Sequence, residues 1–160
     1  MAALTAVMLL TDMSASISPE IGTRMTTSER WQVSRLPRRT ALTLRHLYAD
    51  TNGDTRFGTT EFALAPQDFA PPAAPFDASD GQPATRFVLI QLPAGWVGEA
   101  HVSPKPQVLF CLTGSLKVTC STGEAAVLTA GTGLVMSDVT GKGHKGEVTS
   151  AEPVNGVIVQ

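Results

Sequence analysis

The chain has 160 residues, a length for one domain, and 42% are hydrophobic, enough for one core. Only 16% are charged, and glycine and proline are frequent, which disfavours a coiled coil and a disordered chain alike. The net charge of −2 provides no overall basic field for nucleic acid or an anionic membrane surface.

Residues 1–30 are poorly patterned and read as a peripheral or disordered leader, with residues 31–160 forming one domain. The apolar run at 2–10 has no Lys or Arg before it, which argues against a classical signal peptide. Neither this run nor the one at 87–92 reaches the roughly 20 residues needed to span a bilayer. Met25 resembles an alternative start. Two cysteines, Cys111 and Cys120, are too few for a secreted disulfide framework, so a cytoplasmic location is expected.

Leu44, His46 and Tyr48 alternate with their neighbours in a loose strand pattern, and Asn52-Gly53 is a hairpin signal. Residues 56–64 supply the returning strand. Asn52-Gly53-Asp54 lacks the other carboxylates of a calcium loop. Residues 65–85 hold five prolines, which predicts an extended connection without ladder pairing, anchored to the body by Phe69 and Phe76. Further strands are expected at 86–92, 99–101, 107–112, 116–120, 125–128, 133–137, 146–149 and 156–159. Short strands so closely punctuated by Gly and Pro indicate an all-β sandwich or barrel.

The spacing Gly95, His101, Gln107, Gly114, followed by Gly123, Thr129-Ala130-Gly131-Thr132 and His144, resembles the two motifs of the cupin superfamily over about residues 86–159. The stretches His101-Val102-Ser103-Pro104-Lys105-Pro106-Gln107 and Asp138-Val139-Thr140-Gly141-Lys142-Gly143-His144 look like a group of small bacterial cupins, as does Asp68-Phe69-Ala70-Pro71-Pro72. The resemblance implies a double-stranded β-helix, a jelly-roll-like barrel, paired through an edge sheet into a homodimer. It also implies that His101 and His144 meet at a metal. Ser103 stands where the typical pattern has a second His, and Gln107 where it has a Glu.

Strand alternation gives a similar pocket from the residues themselves. If His101 points inward, Ser103, Gln107, Leu109 and Cys111 share its parity, making a polar mouth over an apolar depth. Two imidazoles and an amide oxygen, from His101, His144 and Gln107, suit a divalent transition metal such as Fe, Mn, Ni, Cu or Zn. No anionic ligand offsets the cation in that set. Without metal, the same histidines act as acid and base at neutral pH. Ser103, Cys111 and Trp96 are the expected substrate contacts.

Three functions follow for a small organic ligand: a metal-assisted oxygenase, isomerase or lyase; a metal-free isomerase or cyclase; or a non-catalytic sensor. Of the remaining candidates, His46 reads as a packed or surface residue and Lys105 as a rim residue. Lys142 lies in a Gly-Lys-Gly bend that lacks the rest of a P-loop. Asp138 reads first as a loop cap and second as a partner that fixes a histidine tautomer. A tight turn at Gly114-Ser115 would set Cys111 opposite Val118 and Leu109 opposite Cys120, with the thiols diagonal and unbonded.

Overall fold

The computed structural model describes residues 40–160. The leader expected at 1–30 lies outside the described residues. The described residues belong to one compact unit. Every regular element described is a strand, and no helix among these residues is long and apolar enough to cross a membrane.

The chain first forms a long hairpin. Strands β1 (Ala41–Ala49) and β2 (Thr55–Ala63) pair antiparallel over their whole length, from Ala41 opposite Ala63 to Ala49 opposite Thr55. The turn lies where Asn52-Gly53 predicted it. Asp50 holds it together by accepting the backbone N–H groups of Asn52 and Asp54 on its carboxylate, while Gly53 takes a φ of 76°. That left-handed conformation is cheap only for a residue without a Cβ.

The proline-rich stretch does make a ladder, contrary to the expectation. Short strands β3 (Ala65–Gln67) and β4 (Phe76–Ala78) pair with Pro66 opposite Asp77. A two-stranded ribbon has an unpaired side, so one missing N–H is tolerated. Phe69 and Phe76 do not anchor this segment to the core. Their rings meet each other at 5.5 Å, and both stay exposed.

The remaining strands are β5 (Phe87–Leu92), β6 (Gln107–Thr113), β7 (Ser115–Cys120), β8 (Ala125–Thr129), β9 (Gly133–Met136), β10 (His144–Val148) and β11 (Val154–Val159). Seven of the eight strands expected after residue 85 are present. The exception is 99–101, where His101 makes only an isolated bridge to His144. Six strands form a mixed sheet in the order β2-β1-β9-β6-β11-β5, in which β1 and β9 run parallel. Three more form an antiparallel sheet, β10-β7-β8.

One core lies between these two sheets. Leu47, Leu109 and Leu134 from the first meet Leu116, Val118 and Leu128 from the second. Alternation sets the inward side: in β7, Leu116, Val118 and Cys120 are buried and their neighbours are not.

The turn at Gly114 is not a hairpin. Strand β6 pairs with β9 and β11, whereas β7 pairs with β8 and β10, so the chain crosses there from one sheet to the other. Cys111 therefore faces Gly156 in β11, and Cys120 faces His144 in β10, instead of the partners expected from a two-residue loop. Both thiols are free and buried.

Candidate active site

A cavity of about 230 Å³ opens between the sheets. Its walls are apolar, from Ile90 and Leu92 on β5, Leu109 on β6, Leu116 and Val118 on β7, Met136 on β9 and Ile158 on β11. Three polar side chains enter it: His101, Gln107 and His144. Trp96 lines it as well, as expected of a residue in the loop before the first histidine. The indole lies against Gly98 and Gly146, where a Cβ at either position would press into the ring.

The two histidines meet. His101 and His144 exchange a pair of backbone hydrogen bonds, of 3.0 and 2.9 Å, and their rings lie 4.6 Å apart, centre to centre. The close approach requires Gly143, whose φ is 72° and whose hydrogen faces the His101 carbonyl where a Cβ would clash. The preceding loop is clamped on the other side. Lys142 reaches Asp54 at 2.8 Å, its N–H donates to the Gly53 carbonyl, and Thr55 donates its hydroxyl to the Gly143 carbonyl. The Gly-Lys-Gly bend is thus a brace between the β1–β2 turn and the start of β10.

Each ring has its Nδ1 engaged. His101 Nδ1 lies 2.7 Å from the Glu99 carbonyl, which can only accept, so that nitrogen carries the proton. His144 Nδ1 lies 2.6 Å from the Asp138 carboxylate. Asp138 is fully buried, and its other oxygen accepts the Ser103 hydroxyl at 2.7 Å. Asp138 therefore does more than cap its loop: it fixes the tautomer of His144. In both rings Nε2 is left as the free nitrogen, and both histidines line the largely apolar cavity.

The set His101, His144 and Gln107 holds no anionic group, and no carboxylate lines the cavity. The charge comes one step back, through Asp138. The signal for it was position, since Asp138 stands six residues before His144 with two glycines between that let the chain fold back. Ser103 and Cys111 are not among the cavity-lining residues. Ser103 is the second partner of Asp138, and Cys111 lies in the core, where burial pushes its thiol pKa up. His46 is half-buried beside Ser137 and Tyr48, and burial lowers its pKa. Lys105 is exposed.

Gln107 reaches the cavity, but its oxygen is occupied. Gln107 Oε1 accepts a 2.6 Å hydrogen bond from the Gln160 side-chain amide, and Gln107 Nε2 faces the Met136 sulfur at 3.7 Å. As a donor set for a metal, the two imidazoles fit, with Asp138 behind one of them in the arrangement that metal-binding histidines favour. Gln107 as it stands does not fit, because a metal takes the oxygen and not the amide nitrogen. Among the described residues, no group of three or more His, Cys, Asp or Glu side chains is placed to hold a metal ion.

No protein-family model matches the chain, and no curated protein matches it.

Proposed function

We propose that this chain is a cupin-type small-molecule enzyme, and that its cavity carries out proton transfer on a small, largely apolar substrate. His144 is the base. With Nδ1–H held by Asp138, it presents Nε2 to the cavity, and the carboxylate stabilises the imidazolium that forms when Nε2 takes a proton. His101, exposed at the cavity edge with the same tautomer, is the second proton carrier. The reaction class is abstraction of a proton beside a carbonyl and its return to the same or a neighbouring carbon, as in an isomerase or cyclase. The observation that carries this reading is the pair of engaged Nδ1 atoms, which leaves both Nε2 atoms free beside one apolar cavity.

The test follows solvent deuterium into a set of small enolisable ketones and aldehydes by proton NMR, with chelator-treated protein. Exchange should exceed the buffer rate and fall by about 10²–10⁴-fold in His144→Gln. Exchange at the buffer rate for every compound, or equal exchange in the variant, refutes it.

A second reading rests on the 4.6 Å approach of the two rings. In it, His101 and His144 hold a divalent transition metal through Nε2, and the metal supplies Lewis-acid polarisation of a substrate oxygen. Elemental analysis of untagged protein beside a His101→Ala/His144→Ala control tests it. About one equivalent of metal, lost in the control, favours this reading over the first.

A further inference from the structure

Side-chain amides have two ends, one accepting and one donating, and a neighbour of fixed polarity decides which end points where. Arg86 is such a neighbour, because a guanidinium only donates. Its Nε donates to Gln160 Oε1 at 2.8 Å. That leaves the Gln160 amide nitrogen to donate onward, and it does so to Gln107 Oε1 at 2.6 Å. The oxygen of Gln107 is thereby turned away, and its NH₂ group is the end left for the cavity, opposed there only by a thioether, a weak acceptor. The relay sits on a firm base. Gln160 and Arg86 also exchange backbone hydrogen bonds, of 3.1 and 2.9 Å, which extend the β5–β11 ladder by one rung.

We infer that Arg86 and Gln160 are positioning residues that make Gln107 a hydrogen-bond donor to a carbonyl oxygen, and that the ligand is a small apolar ketone or aldehyde. This rests on the acid–base reading above and deepens it. The proton on the carbon beside the carbonyl passes to His144 Nε2. The electron pair of that C–H bond forms the enolate, and the negative oxygen is stabilised by the Gln107 N–H. Return of the proton from His144 to carbon reverses the charge shift, so no oxidant or further reactant is needed. A donor aimed at the site where charge develops stabilises the transition state more than the ground state. The small, mostly apolar cavity excludes a sugar or a polyanion, which would leave many polar groups without partners.

The test uses acetophenone labelled with ¹³C at the carbonyl, and Co²⁺ as a separate probe. In the wild-type protein the bound carbonyl resonance should move to higher frequency, as it does on accepting a hydrogen bond. Gln107→Met removes the donor at similar volume and should weaken binding at least tenfold and abolish the shift. Gln160→Glu is the sharper variant. Its carboxylate still accepts from Arg86 but cannot donate to Gln107, so the Gln107 amide should turn over and present its oxygen to the cavity. Ketone binding should then weaken at least tenfold while Co²⁺ binding tightens at least tenfold. A merely structural role for Gln160 predicts loss of both. Wild-type protein that does not bind acetophenone overturns the ligand class. Unchanged ketone and Co²⁺ affinities in Gln160→Glu overturn the relay. Ketone binding that depends on Gln107, with deuterium exchange indifferent to His144→Gln, would retain the donor and overturn the acid–base reading instead.

Discussion

Removal of the Asp138 carboxylate should distinguish a buried group that organises the site from a loop cap near the surface. Asp138 is 0% exposed and holds two partners, the Ser103 hydroxyl at 2.7 Å and His144 Nδ1 at 2.6 Å. Both partners are themselves buried. In Asp138→Ala each donor is left without an acceptor, at about 1–3 kcal/mol apiece, so the total loss should be about 2–6 kcal/mol. Asp138→Asn preserves the shape. One amide end accepts from His144 while the other donates to Ser103, whose hydroxyl can turn to accept. Only the charge assistance is lost, about 1 kcal/mol for each of the two bonds, for a total of about 2 kcal/mol. Urea unfolding resolves the two, because a slope of about 2 kcal/mol/M converts the alanine loss into a midpoint shift of about 1–3 M. Long-range ¹H–¹⁵N NMR of the histidines adds a local readout: His144 should be the Nδ1–H tautomer in the wild type and a mixture in Asp138→Ala. A loss below about 1 kcal/mol for alanine, or no difference between alanine and asparagine, refutes the argument that this carboxylate holds the site together.

Gly143→Ala should lower stability by at least about 1–2 kcal/mol from its left-handed φ alone, with the clash against the His101 carbonyl in addition. Hydrogen exchange should then show the His101 and His144 amides losing protection before the core strands do. Leu134→Ala, at a side chain with no exposure in the centre of the six-stranded sheet, should cost about 2–5 kcal/mol in the same urea assay. Cys120, whose thiol burial pushes up to about 11, and Cys111, raised by burial as well, should resist a disulfide reagent at pH 8 and both react once the chain is unfolded. Asp50 is held below the usual carboxylate value of 3.8 by its hydrogen bond from Arg56, and Asp54 by those from Lys142 and Ser121. A lowered folded pKa contributes stability above the unfolded value and loses it as pH falls through the folded one. Melting temperature should therefore drop below about pH 4, and less steeply in Lys142→Met.

Much of the strand pattern was legible because its cause is local. In β7 the alternation of Leu116, Val118 and Cys120 with polar neighbours marks one buried side, and Gly53, Gly114, Gly123 and Gly131 mark the turns after β1, β6, β7 and β8. His101, Gln107 and His144 were legible as a set through their spacing and its likeness to a known pattern. Local pattern failed at Gly114, where a hairpin and a crossing between sheets require the same left-handed glycine. It failed again at residues 65–85, where five prolines concealed a short ribbon.

What the sequence by itself determined is an all-β chain whose two histidines and glutamine stand at spacings that resemble a known pattern; that they share a cavity was decided by the fold. What only the tertiary structure decided is what each of these groups can do. Asp138 became a tautomer-fixing partner because the fold buries its carboxylate completely and sets it 2.6 Å from His144 Nδ1. Gln107 became a donor because β5 and β11 run side by side, bringing Arg86 and Gln160, 74 residues apart, into one line of hydrogen bonds. The polarity of an amide and the tautomer of an imidazole depend on the nearest neighbour in space, and alternation along a strand carries no record of that neighbour.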